Sequence, residues 1–393
     1  MSDSHRDQTV SLPQRPAGEV RRYARLRYLL FGTHLVAGVA FLALMIAGGS
    51  ASITAAALEI AGARSYYLTL FYYFAGFSLA HLAFTLPLQF YREYVLEHQF
   101  GLSNQTLGQW VGRRMKKWGI FFVLATPVVL VFYVTLRHWP TLWWLPAAGV
   151  WMLFSYVLAK FAPRILIPLF YRLEPIENDE LKASLGQLAS KAGIELTGVC
   201  RIDLSRETKK ANAAVVGMGK TRRVVLGDTL LEKFTPEEIA AVFAHELGHI
   251  VRRHLLKGFL LAALLATVSL YAGSRVLVHA TRALGIRPIP AEPGNHVASP
   301  ETLPILVAVL AAIQLLVMPL EKWYSRRREV ESDAYALRAT SDRAAFVSAM
   351  GKLGWMNLAD VKPNKLAEVF LFSHPPISKR IRFAQEFDLG SER

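Results

Sequence analysis

Six stretches of this chain contain no Asp, Glu, Lys or Arg: Tyr28 to Ala47, Ser65 to Phe90, Trp118 to Leu136, Trp139 to Ala159, Gly258 to Ser274 and Thr302 to Leu320. Inside hydrocarbon a backbone N–H or C=O finds no water, so a crossing segment must satisfy these groups itself, as a helix of roughly 20 apolar residues. Five runs meet that length, and Gly258 to Ser274 is expected to extend into its flanks. One such run could be a buried helix of a soluble protein. Six together hold much of a hydrophobic fraction of 53% and point to a multi-pass α-helical membrane protein of about six transmembrane helices. The first run is too long for the apolar core of a signal peptide, and its C-terminal flank fits a cleavage site poorly.

A formal charge of +15 would suit a nucleic-acid binder, but the basic residues are placed for a different purpose. Arg21, Arg22, Arg25 and Arg27 precede the first run, and Arg113, Arg114, Lys116 and Lys117 precede the third. Lys160 and Arg164 follow the fourth, Arg252, Arg253 and Lys257 precede the fifth, and Arg326, Arg327 and Arg328 follow the sixth. The alternate loops hold only Arg64, Arg137, Arg275, Arg282 and Arg287. Positive residues concentrate on the cytoplasmic side, so both termini are expected there, in a bacterial inner membrane or an endoplasmic reticulum membrane. No nucleic-acid partner is expected. The single cysteine, Cys200, falls in a cytoplasmic segment where thiols stay reduced, and reads as a small apolar side chain.

Residues 1–20 lack apolar periodicity and read as a disordered tail. Residues 21–163 hold spans one to four with a cytoplasmic loop at 91–117, 255–320 hold spans five and six, and 321–393 form a helical cytoplasmic part. The main soluble piece is 164–254. There, Asn178 to Ala192 has helical spacing of Leu181, Leu185 and Leu188, whereas Gly198 to Asp203, Ala211 to Val216 and Thr221 to Leu226 have strand character. A short antiparallel sheet flanked by helices is expected. Thr235-Pro236-Glu237-Glu238 then supplies an N-cap, a proline at the first helical position and a glutamate three residues after the cap. With no stop signal before Leu255, that helix is expected to continue into the fifth span.

This helix carries His245-Glu246-Leu247-Gly248-His249. Histidines four apart project from one face and can share a tetrahedral Zn²⁺, one per chain, while Glu246 can take the proton from the water that attacks a carbonyl. A zinc hydrolase needs a third protein ligand and an open position. The metzincin pattern would need glycine at 252 and histidine at 255, where this chain has Arg252 and Leu255. His254 would lie half a turn out of phase on a continuous helix, and reads as structural. Glu329 is the better ligand, giving a gluzincin-like set, because Asp333 lies one turn further on and can orient a ligating histidine. Glu331 points elsewhere on that helix.

These residues resemble the integral-membrane CAAX prenyl endopeptidase family of zinc metallopeptidases, over most of the chain from about Tyr67 to Phe383. The likeness is carried by Glu97-His98-Gln99-Phe100-Gly101 with Gln105-Thr106 to Trp110, by Ile167-Pro168-Leu169-Phe170, by Asn212-Ala213 and by Arg222 to Leu231. His245 to His249, Glu329 with Asp333, and Ser373-His374-Pro375-Pro376 with Arg380 complete it. The resemblance implies a ring of helices around a water-filled intramembrane chamber, closed at its cytoplasmic end by a small α+β zinc-peptidase domain. It implies that Asn212 and Ala213 pair with an extended substrate strand, that His374 stabilises the oxyanion and that Arg380 supports the site. The chain departs from eukaryotic members in having six runs where they typically have seven, and in lacking a long insertion ahead of the zinc helix. His34 and His81 are polar groups within spans, open between lining the chamber and cross-linking helices.

The function expected is proteolysis of a peptide or protein, lipidated or not, in contact with membrane lipid. A membrane quality-control peptidase of the shorter bacterial stress-response type shares the core motif and stands as the alternative. A transporter with structural zinc would want four protein ligands, where three and a general base are assembled here. A site-two-type intramembrane protease would carry the motif within an apolar span, whereas polar sequence brackets it here.

Overall fold

The computed structural model describes residues 16–62, 65–217, 219, 222–291 and 294–389. Among these, six helices are long and apolar enough to cross a membrane. Helix α1 (Ala17–Leu44) passes through a π-helical turn at Met45–Gly49 into α2 (Ser50–Ala61), with a bend where Gly48 takes φ 149°. Next come α3 (Tyr66–Phe90), extended by a second π-helical turn at Tyr91–Val95 into α4 (Leu96–Gln99), and then α5 (Leu107–His138) and α6 (Trp144–Phe170). Val36, Val123, Leu153 and Leu264 are all more than half exposed on these spans, as lipid-facing side chains should be. The disordered tail expected over 1–20 falls on undescribed residues up to 15; from Ala17 onward the chain is helical.

The soluble unit begins with β1 (Leu173–Pro175) and α7 (Asp179–Lys191), followed by β2 (Gly198–Ile202), β3 (Ala213–Val216) and β4 (Arg223–Gly227). Asn178 caps α7 by accepting from Leu181 N–H at 2.9 Å, and Leu181 and Leu185 are buried in the core that α7 shares with the sheet. The sheet order is β1-β2-β4-β3. It is mixed, not wholly antiparallel as expected, because β2 and β4 run parallel with Val199 opposite Val224. The loop and β3 between them form the crossover that a parallel pair requires. β3 lies at the edge, its outer side unpaired by any strand among the described residues.

Short α8 (Asp228–Leu231) leads to α9 (Pro236–Val251), which starts as expected, with a capping box between Thr235 and Glu238. It does not continue into the fifth span. Arg253 adopts φ 53°, and a new helix, α10, runs His254–Ala283. The turn swings His254 back onto His249, which a continuous helix would not allow. α11 (Leu303–Thr340) is continuous through its apolar run and on into the soluble unit. At 1.5 Å per residue its 38 residues reach about 57 Å, well beyond a hydrocarbon core of about 30 Å. Its far end packs on α9, and α12 (Arg343–Met356), α13 (Lys365–Leu371) and α14 (Ile377–Glu386) close the domain around them. A small buried cluster of Tyr23, Leu96, Leu102 and Leu358 joins the membrane helices to this domain. Cys200, in β2, is a half-buried free thiol.

Candidate metal centre

Helices α9 and α11 can approach closely because Gly248 has no side chain: a Cβ there would lie 2.9 Å from Ser332 Cα and 3.1 Å from Tyr335 Cβ. That approach brings Glu329 of α11 to the two histidines of α9. Glu329 Oε2 stands 3.2 Å from His245 Nε2, and Oε1 stands 3.4 Å from His249 Nε2. The two Nε2 atoms are 3.2 Å apart. One donor atom from each of the three residues lies within 4.8 Å of the others.

The hydrogen bonds behind the rings decide what these atoms can do. His245 Nδ1 lies 2.8 Å from Asp333 Oδ1, and Arg380 fixes that carboxylate through Nε at 2.8 Å and Nη2 at 2.5 Å. His249 Nδ1 lies 3.0 Å from His254 Nδ1, whose Nε2 lies 3.0 Å from Glu331 Oε2. With hydrogens on both Nδ1 atoms of the α9 pair, both Nε2 atoms carry lone pairs, and these face each other and a carboxylate. Glu329 Oε2 is buried and makes no directed hydrogen bond despite its near neighbours. Converging lone pairs without hydrogens between them fit a divalent cation, and two imidazoles with one carboxylate are the donor set that suits zinc.

Burial and the neighbouring His245 charge pull the His249 imidazole down to about 4, so its ring stays neutral and free to ligate. Burial also opposes a proton on His245, but the adjacent Asp333 and Glu329 carboxylates outweigh this and raise it to about 9. The anionic field that holds this proton would equally hold a cation. Burial pushes the Glu246 carboxyl up, against the pull of a His245 charge, and a backbone hydrogen bond from Val215 of β3 tethers it.

A cleft of about 360 Å³ opens beside these atoms, with Asn212, Ala213, Glu246 and His374 among its walls. Asn357 anchors the entry to β3, accepting from Ala211 N–H at 3.2 Å. His374 Nε2 stands 3.4 Å from Glu329 Oε2, and its Nδ1 meets Ser373 Oγ at 2.9 Å. All nine residues singled out by sequence therefore meet at one site. Two residues outside the ligand set gain specific partners: His254, read as structural, lies against His249, and Glu331, read as pointing away from the ligands, lies against His254. The break at Arg253 changes the phase of His254, and nothing in the local sequence announces it. His34 and His81 line membrane cavities away from this cleft.

A family model described as Peptidase family M48 matches residues 175–388, and one described as CAAX prenyl protease N-terminal, five membrane helices, matches residues 20–172. Within the second stretch the described residues form four helices of spanning length, the first bent at Gly48. The Bacillus subtilis (strain 168) metalloprotease YhfN is 31% identical over 318 residues, covering 80% of this chain and 73% of that protein. CAAX prenyl protease 1 of Saccharomyces cerevisiae is 27% identical, over 75% of this chain and 67% of its own. The crystal structure of S. mikatae Ste24p shares the fold with a TM-score of 0.85 at 21% identity, covering 96% of this chain and 93% of that one.

Proposed function

This chain belongs to peptidase family M48, as a multi-pass membrane metallopeptidase of the CAAX prenyl protease type, and from that premise we propose how its residues divide the work and what it cleaves. His245, His249 and Glu329 hold zinc. The ion supplies Lewis-acid polarisation of a carbonyl and activation of water near neutral pH. Glu246 takes the proton from the attacking water and returns it to the leaving amine. His374 donates Nε2–H to the oxygen where negative charge develops, its tautomer set when the Ser373 hydroxyl donates to Nδ1. Asp333 and Arg380 hold the His245 ring in register for the metal. Asn212, Ala213 and the unpaired outer side of β3 align an extended peptide by strand addition.

The catalytic unit is built from 164–254 together with 321–393, on the cytoplasmic side with both termini. Its substrates are peptides or proteins at the membrane, with lipidated C-terminal peptides the first class to test, given the CAAX prenyl protease among its relatives. The observation carrying this reading is the meeting of the His245, His249 and Glu329 donor atoms within 4.8 Å beside Glu246. The test incubates purified protein with a prenylated CAAX peptide and an unprenylated control, with and without a zinc chelator, and maps products by mass spectrometry. Cleavage should cease with the chelator and return with zinc. Glu246→Gln should keep the metal yet lose about 10²- to 10⁴-fold in turnover, and a variant that still cleaves at the native rate would sink the assignment of the base.

A further inference from the structure

Between the spans and the soluble sheet lies a cavity of about 820 Å³, walled by α1, the π-helical turn Tyr91–Val95 with α4, α5 and α11 and by the loops below them, in which cations outnumber anions. Lys210 pairs with Glu97 at 2.7 Å and Arg113 with Glu207, one cation to one carboxylate. Arg92, Arg114 and Lys117 have Glu93 alone among them. It lies 3.0 Å from Arg92 and 3.6 Å from Arg114, and Lys117 has no ion pair among the described residues. Three cations against one carboxylate leave a surplus of two positive charges, to which Arg27 on the α1 wall adds a third. Arg21, Arg22 and Arg25 do not line this cavity.

The same wall leaves nitrogens without partners: His34 Nδ1, Trp110 Nε1 and Arg114 Nε are buried and make no hydrogen bond. Buried polar atoms of this kind call for a partner, from a ligand or from water. Arg92 and Glu93 stand on the π-helical turn Tyr91–Val95, a distortion frequent at functional sites. A second cavity, of about 660 Å³, shares Arg114 and Lys117 as its rim and runs on among Phe41, Phe74, Phe77 and Trp118. A basic collar thus opens into an aromatic sleeve within the membrane helices.

We propose that collar and sleeve form one binding site for an anionic phospholipid, with its phosphate on Arg92, Arg114 and Lys117 and an acyl chain among the phenylalanines. A soluble anion would leave the sleeve unused, and a zwitterionic lipid would leave the charge surplus unmatched. Basic pockets between transmembrane helices on the inner face recognise phosphate head groups by this combination. The site is separate from the metal centre and does not depend on how that centre is read.

The test strips the full-length protein of lipid and reconstitutes it in nanodiscs of phosphatidylcholine, alone or with phosphatidylglycerol. Retained lipid is read by native mass spectrometry and stability by thermal unfolding. Phosphatidylglycerol should be retained and should raise the unfolding temperature. An Arg114→Gln/Lys117→Gln variant should bind it at least twentyfold more weakly, from about fivefold per cation removed, while cleaving a short soluble peptide at the native rate. Should that variant misfold, Arg92→Gln alone should still show about a fivefold loss. Equal retention of the two lipids, or the same stabilisation by inorganic phosphate alone, would overturn the proposal. So would displacement by a prenylated peptide with a free C-terminal carboxylate but not by its amide, which would assign both cavities to substrate.

Discussion

Each imidazole facing the metal position is steadied through its other nitrogen, and the two supports are chemically unlike. His245 leans on Asp333, an anion clamped by Arg380, whereas His249 leans on His254, a ring that must itself be told which nitrogen bears hydrogen. Glu331 settles this: its carboxylate can only accept, so His254 donates Nε2–H to it and accepts at Nδ1 from His249. Removing His254 should therefore act on the metal and leave the fold in place. We expect His254→Ala to weaken zinc binding about 10- to 100-fold in a chelator competition, with His254→Asn restoring part of the loss because its amide oxygen can accept. An affinity unchanged in the alanine variant would mean that His249 orients without help. The histidine pair was legible in the sequence because helical spacing puts both rings on one face, Glu246 because it directly follows the first histidine as the pattern requires, and Asp333 because it sits a turn from Glu329. The contact of His254 with His249 was not, since the phase of His254 depends on a helix break that neither a glycine nor a proline marks, and Glu331 meets its partner only because of that break.

At the scale of elements, the site depends on how near α9 and α11 can come. Gly248 sits against Ser332 at the closest point, and no other residue type fits without moving one helix. A methyl group there should cost about 1–3 kcal/mol through overpacking, and it should displace Glu329, which rides on α11. Gly248→Ala is expected to lower the thermal unfolding midpoint and zinc affinity together; a variant losing stability with affinity intact would show that Glu329 is set by other contacts. Elements with local signals were readable in advance, as the Thr235 cap and the leucine spacing of α7 show. The sheet was only half readable. Its strands carry β-branched runs, but the parallel register of β2 on β4 joins residues on either side of β3, and such pairing leaves no mark in any short window.

For the molecule as a whole, the metal centre constrains topology independently of charge. His245 lies on α9, just ahead of the fifth span, and Glu329 lies on α11, beyond the sixth; since the two side chains meet, both must be on one face of the membrane. Two crossings, α10 and the apolar part of α11, return the chain to the face it left. The four spans before α9 then put the start of α1 on that face as well, with Arg21, Arg22, Arg25 and Arg27 in its first turns. By the positive-inside rule we expect this face to be the cytoplasmic one. In a Cys200→Ser background, a cysteine at exposed Arg287, in the loop between the fifth and sixth spans, should react with a membrane-impermeant maleimide on intact cells. A cysteine at exposed Lys365, beside the metal domain, should react only after the membrane is opened. The reverse pattern would turn the site to the outside, and labelling of both positions in intact cells would break the link between α9 and α11 on which the three-residue metal centre rests.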